Sequence, residues 1–295
     1  MAETPTMPNC GPVTTYDDRA CGLGEGPLWH PGRAQLFWFD ITGNCLRSRT
    51  DAGPMEWHFE ENVSAAGWID DNTLLIASAS AFLRFDIETG RSDQICLLEA
   101  DNPVTRSNDG RVDPWGGFWI GTMGRKAERN AGAIYRYYRG EVRQLYAPIS
   151  IPNAICFAPD GSSACFTDTA QGMIWRQKLD EAHGWPVGEP EPFIDCRAAR
   201  LAPDGAVIDS AGRLWNAQWG ASRVAVYDRD GALAGAIATD APNTTCPAFG
   251  GPGLSTLFIT SATRTQTRDS AEGSHGHVFV AEINVEGQAE HQVIL

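Results

Sequence analysis

Apolar and polar residues alternate along this chain in short runs broken by turn residues. Nowhere does the i, i+3, i+4, i+7 spacing of an amphipathic helix persist over three turns. Six strand cores stand out: LFWFD (36–40), TLLIA (73–77), GFWIG (117–121), ACFTD (164–168), RLWNA (213–217) and TLFIT (256–260). A second, period-two strand follows about 10 to 20 residues later, as in FLRFDIETG (82–90), AIYRYYRG (133–140), MIWRQKLD (173–180), RVAVYDRDG (223–231) and HVFVAEINVEG (277–287). Their closing Gly-containing turns are hairpin chemistry, and 31 glycines with 18 prolines punctuate the chain too often for long helices. The pattern predicts an all-β protein.

The centres of the cores, Trp38, Leu75, Trp119, Phe166, Trp215 and Phe258, are 37, 44, 47, 49 and 43 residues apart. That period suits a four-stranded propeller blade of ~40 to 50 residues, so the expectation is a six-bladed β-propeller. An open ring would leave strand edges unpaired, so N- and C-terminal strands should close it, with segment 12–19 joining the final blade. The Gly-His and Trp-Asp pairs of tryptophan-aspartate repeats are missing. No linker or charge block divides the chain, which reads as one domain over 1–295 with 1–11 as a loose extension.

Five cores are preceded, by 11 to 15 positions, by an oxygen-bearing side chain: Glu25, Asn108, Asn153, Asp204 and Asn243. If the segment before each core is the innermost strand of a blade, these residues start homotopic strands and converge on one mouth of the channel. Glu25, Asn153 and Asp204 then form an all-oxygen site suited to one hard divalent ion, with positions left for water and substrate. Asp-Gly and Asn-Asp pairs are also ordinary turn formers, and only convergence separates the two readings. Arg106 either faces the same mouth or pairs with an acid such as Asp101, and Asp109 is expected to brace the inner turn.

The chain has 37 acids against 23 bases, a formal charge of −14. That argues against nucleic acid or an anionic membrane as partner and favours a small ligand; a monomer or weak homo-oligomer is the expectation, and the charge does not bear on it. No run reaches the ~18 to 20 apolar residues of a membrane span, and the start lacks a secretory layout, so cytoplasm is the expected compartment. Eight cysteines at 10, 21, 45, 96, 156, 165, 196 and 246 contain no C-x-x-C pair and read as reduced thiols. Cys156 and Cys165 are placed to face one another across a hairpin. There is no H-E-x-x-H pair and no G-x-S-x-G elbow, which disfavours histidine-bound zinc and a serine nucleophile. Trp29 and Trp219 are candidates to wall the pocket.

GEGPLW (24–29), RSNDGRVDP (106–114) with GFWIGTM (117–123), IPNA (151–154), APDGAVID (202–209) with GRLW (212–215), and PNTTCPAFGG (242–251) occur in order over about residues 20 to 290. Together they resemble the gluconolactonase and regucalcin family, the senescence marker proteins. The resemblance implies a six-bladed propeller with one divalent ion on its axis (Ca²⁺, Mg²⁺, Mn²⁺, Zn²⁺ or Fe²⁺) that hydrolyses an aldono-1,4- or 1,5-lactone to the aldonic acid. It implies Glu25, Asn153 and Asp204 as metal ligands, Asp204 as the catalytic base on water, and Arg106 and Asn108 as substrate-binding residues. Some relatives instead favour phosphotriesters or are discussed as calcium-binding proteins, and fold alone does not choose among these. Where several animal members carry an acidic pair after the Thr-Met turn, this chain has Arg125 and Lys126, so Lys126 is expected at the substrate.

Overall fold

The structure is a computed structural model that describes residues 7–263 and 273–295. It is all-β, in a propeller arrangement, with one short 3₁₀ turn at Pro252–Leu254 among the described residues. Strand β1 (Thr14–Asp17) is followed by four antiparallel sheets of four strands each. The first holds β2 (Gly24–His30), β3 (Gln35–Asp40), β4 (Cys45–Thr50) and β5 (Gly53–His58). The second holds β6 (Val63–Asp70), β7 (Thr73–Ser78), β8 (Ala81–Asp86) and β9 (Ser92–Leu97). The third holds β10 (Thr105–Val112), β11 (Phe118–Gly124), β12 (Gly132–Tyr138) and β13 (Glu141–Ile149), and the fourth β14 (Pro152–Phe157), β15 (Ser163–Asp168), β16 (Met173–Lys178) and β17 (Glu191–Asp195).

The remaining strands depart from the expected six separate sheets. β18 (Ala202–Ile208), β19 (Leu214–Trp219), β20 (Arg223–Tyr227), β21 (Leu233–Ala238), β22 (Asn243–Gly250), β23 (Thr256–Ala262), β24 (Val278–Glu282) and β1 form a single eight-stranded sheet. Its two halves meet through one backbone pairing, Trp219 with Asn243. The N-terminal strand closes the fold as expected, with β1 antiparallel to β24. Asn9, Cys10 and Gly11 also pair with the backbone of 282–284, so the described end of segment 1–11 is fastened rather than loose. Residues 1–6 lie outside the described residues.

Burial runs from the axis outward. β14 and β22 are buried at every residue, whereas β9 and β21 are largely exposed. Neighbouring sheets cover both faces of the innermost strands, so polar residues such as Ser107, Asn108 and Asp109 on β10 are buried together with the apolar ones. β2, β6, β10, β14, β18 and β22 touch in that cyclic order and return to β2, enclosing the channel. Aspartates brace the strands at both ends. Asp113 and Asp209, each six residues before a core tryptophan, accept the indole N–H of Trp119 at 3.1 Å and of Trp215 at 3.0 Å.

The far end of the channel is capped by the C-terminal tail. Trp68 Nε1 donates to Glu290 O, Val293 N to Trp68 O and Ile294 N to Gly116 O. Gln288 Nε2 reaches Phe157 O and Ile208 O. The tail thus crosses several sheets, and Glu290 ion-pairs with Arg111 of β10. No helix among the described residues is long and apolar enough to cross a membrane.

Removing one partner of a buried ion pair strands the other charge, so Glu290→Ala should destabilise the fold by about 3 kcal/mol, as measured by urea unfolding. An unaltered midpoint would mean that the tail's backbone bonds alone hold the cap.

Candidate active site

The inner strands share a local device. In β2, β10, β14, β18 and β22 the ladder is regular up to Glu25, Ser107, Asn153, Pro203 and Thr244, then slips by a β-bulge before resuming at Leu28, Gly110, Cys156, Ala206 and Pro247. A bulge re-aims side chains that the strict alternation of a strand would send to opposite faces. The five oxygen-bearing leaders are therefore not strictly homotopic. Glu25 and Asn153 are the last paired residues before their bulges, Asn108 and Asp204 lie within theirs, and Asn243 sits one position before Thr244. Gly26, at φ 51° after Glu25, approaches the second sheet so closely that a Cβ would meet Ser64 O at 2.2 Å. Ala154, after Asn153, takes the same left-handed conformation at φ 54° without glycine's freedom.

The bulges gather Glu25, Asp109, Asp204 and Arg106 close enough to feel one another's charge, each at most 8% exposed. Burial, then the charge of Asp109, pushes the Glu25 carboxyl up to about 8, against the Gly26 N–H at 3.2 Å and Arg106. Burial, then Glu25 and Asp109, holds Asp204 well above the usual carboxylate range, opposed by the Gly205 N–H at 3.1 Å. Asp109 rises to about 6 through burial, although Ile155 N–H bonds its Oδ2 at 2.8 Å. Asp109 thus ties β10 to β14, where the expectation was a brace within its own inner turn. Burial, aided by repulsion from Arg125, lowers Arg106 to about 10 despite Glu25 and Asp204. The expected alternative pairing of Arg106 with Asp101 is not formed.

Asn153 enters through a chain of hydrogen bonds. Arg106 Nη1 donates to Asn108 Oδ1 at 2.9 Å, and Asn108 Nδ2 to Asn153 Oδ1 at 3.0 Å and Pro152 O at 3.0 Å. Asn153 Nδ2 donates to Thr169 Oγ1 at 2.8 Å, whose hydroxyl donates to Pro203 O beside Asp204 at 2.7 Å. Because Thr169 spends its proton on Pro203, it accepts from Asn153, which fixes the amide's orientation. Asn108 is thereby committed to orienting Asn153 and Arg106.

Two aspartates closing β3 and β15 set the entry of two of these strands. Asp40 Oδ1 accepts the Leu23 N–H at 3.1 Å, two residues before Glu25. Asp168 accepts Ser150 N–H and Ile151 N–H, both at 3.0 Å, just ahead of Asn153. Both aspartates close strand cores, LFWFD (36–40) and ACFTD (164–168), and that recurring closing Asp is their signal in the sequence. Thr169 and Cys246, a buried thiol raised by burial and then by Asp109, Glu25 and Asp204, had no comparable signal.

Lys126 is exposed, and its backbone N–H bonds Glu128 Oε2 at 2.9 Å; the charge of this loop that reaches Arg106 is that of Arg125, held by Asn62 Oδ1 and Pro103 O. Asn243 Nδ2 makes a long bond of 3.5 Å to Thr263 O. Trp29, near the opposite end of β2 from Glu25, stacks on Phe258 at 5.7 Å and does not wall the mouth. A separate group, Cys45, Glu56 and His58, brings potential ligand atoms within 4.8 Å of one another. There Arg47 already ion-pairs with Glu56 at 2.6 Å, so the acid ring in the channel is the better cation site. Three buried carboxylates beside one lowered guanidinium leave negative charge unanswered, and the Asn153 Oδ1 adds a neutral oxygen. That donor set fits a hard divalent ion.

Asp168→Asn would turn an amide N–H₂ against backbone N–H donors and displace the entry to β14. Divalent-ion affinity should fall by about 10- to 100-fold in calorimetric titration with Mn²⁺; equal affinity would show that Asn153 is placed without Asp168.

Residues 23–263 match the family model described as SMP-30/Gluconolactonase/LRE-like region. The chain is 41% identical over 282 residues to a putative sugar lactone lactonase of Rhizobium meliloti, covering 94% of this chain and 95% of that protein. It is 35% identical over 288 residues to an L-arabinolactonase of Azospirillum brasilense, covering 95% and 94% respectively. The crystal structure of a calcium-binding protein, regucalcin, from Agrobacterium tumefaciens superposes with a TM-score of 0.92 at 39% identity, over 100% of both chains. The chain therefore belongs to the SMP-30/gluconolactonase/LRE-like family.

Proposed function

We propose that this protein is a divalent-metal-dependent sugar lactone hydrolase, working as a single six-bladed domain in which the eight-stranded sheet is two blades joined at Trp219 and Asn243. The observation that carries the proposal is the buried ring of Glu25, Asp109 and Asp204 with Asn153 oriented beside it. A lactonase and an arabinolactonase among the similar proteins support the substrate class, and free thiols at all eight cysteines fit a reducing cytoplasm.

Glu25, Asn153 and Asp204 would hold the ion, which when bound supplies Lewis acidity to the lactone carbonyl and makes water easier to deprotonate. Asp204 uses Oδ1 for the Gly205 N–H, and its carboxylate accepts the proton of the attacking water. Arg106 commits Nη1 to Ser107 O and Asn108 Oδ1. Its remaining donors face the negative charge that develops on the opening ester and stays on the aldonate product. Arg106 meets the sugar while Asn108 acts by holding Arg106 and Asn153 in place, and Arg125 takes the place expected for Lys126 by adding positive charge at the mouth. Asp109 holds β14 in register and keeps the ring electron-rich.

A panel of aldono-1,4- and 1,5-lactones, scored by acid release with a pH indicator, tests this reading. Activity should vanish after dialysis against chelator and return with a divalent salt. Turnover that persists without metal would remove the ion from the mechanism, preference for phosphotriesters would change the substrate class, and ion binding without turnover would make the protein a cation binder. Asp204→Asn should lower kcat at least about 100-fold while the far-ultraviolet spectrum of the fold is kept; wild-type kcat in that variant would assign the base elsewhere.

A further inference from the structure

Away from the channel mouth, a cleft of about 840 Å³ opens between the fourth sheet and the neighbouring β18–β19 hairpin. Its walls include Cys165, Arg176, Glu191, Phe193, Ile208 and Arg229. Four directly opposed residues cross this sheet on one face: Cys156 on β14, Cys165 on β15, Arg176 on β16 and Glu191 on β17. Directly opposed antiparallel residues have Cα atoms about 4.5 or 5.5 Å apart, within the 4.4–6.8 Å that a disulfide spans. The pair is thus built to close without moving the backbone far.

The two thiols are not equivalent. Both are only 1% exposed, but Cys165 lies in the wall of the cleft and Cys156, one strand nearer the axis, does not. Arg176 flanks Cys165 and is itself fixed, its guanidinium 3.5 Å from the Phe193 ring centre and donating to Arg229 O at 2.7 Å. The Cys156 thiol and then Arg176 lower Cys165 against the opposing effect of its burial, whereas Cys156 is raised by burial first and then by Cys165. A thiol in the wall of a cleft, flanked by an arginine and directly opposed to a second thiol one strand deeper, is the arrangement of an attacked and a resolving cysteine.

We propose that Cys156 and Cys165 are a hydroperoxide-sensitive dithiol, with Cys165 oxidised from the cleft and Cys156 closing the disulfide. The Cys165 thiolate attacks the peroxide oxygen, the O–O bond breaks, and hydroxide leaves with Cys165 as a sulfenic acid. The Cys156 sulfur then attacks that sulfur, the S–O bond breaks, and the thiol proton leaves with the hydroxyl as water. A thiol reductant reverses the cross-link. The step uses neither the ion nor the lactone, so it stands apart from the proposed hydrolysis.

The test is hydrogen peroxide treatment of the full chain, followed by thiol titration after denaturation and non-reducing mass mapping of a digest cleaved before Asp160, which separates the two cysteines. Titratable thiols should fall from eight to six, with the 156–165 cross-link found and removed by dithiothreitol. Cys156→Ser should stop at a dimedone-trapped sulfenic acid on Cys165, and Cys165→Ser should lose no pair. Eight surviving thiols at a peroxide dose that oxidises free cysteine, or a cross-link elsewhere such as Cys21 to Cys45, would overturn the proposal. The wild-type map decides the matter even if a variant fails to fold.

Discussion

Burying Glu25, Asp109 and Asp204 around one axis is the constraint to which much of the molecule answers. Each charge withdrawn from water costs several kcal/mol, and each also repels its neighbours. The chain supplies only partial compensation from above, since Arg106 is itself desolvated and pushed by Arg125. From below, Arg111 feels Asp109 but is paired to Glu290 of the tail. The carboxyls consequently rise, and a site whose acids prefer protons to solvent is one in which a divalent cation can replace those protons with a larger gain.

The architecture keeps that tension from being relieved by rearrangement. The inner strands are covered on both faces, so the carboxylates cannot swing into solvent without breaking sheet contacts. The bulges that bring consecutive residues toward the channel are secured by Gly26 against Ser64 and by the hydrogen bonds of Asp40, Asp109 and Asp168 to backbone N–H groups near the ring. Asn153 is neutral and would be the easiest ring member to misplace. It is also the one with a dedicated relay, running from Arg106 through Asn108 to Thr169 and the Pro203 carbonyl. Capping the far end with the tail leaves the ring to be approached from the mouth.

The same sheet that presents Asn153 at the mouth carries the opposed cysteines three positions further along β14. Oxygen donors gather at the bulge because the ladder is interrupted there, and the cysteines face each other because it has resumed. A single strand can therefore hold a polar site and a thiol pair whose chemistries do not interfere.

What could be read from residue order was whatever repeats. The all-β class followed from period-two runs and turn residues, the propeller arrangement from the spacing of Trp38, Leu75, Trp119, Phe166, Trp215 and Phe258, and the closing strand from the need to pair an edge. Glu25, Asn153 and Asp204 were visible as recurring leaders, and Cys156 and Cys165 as a hairpin pair. Tertiary structure decided what depends on contacts between distant segments. It joined two groups of strands at Trp219 and Asn243, staggered the leaders through bulges, sent Trp29 to the other end of its strand and brought the charge of Arg125 within reach of Arg106. It also matched Arg111 with Glu290 across 179 positions. Local spacing encodes periodicity, whereas register slips and long-range partners are settled only when neighbouring sheets compete for the same volume and hydrogen bonds.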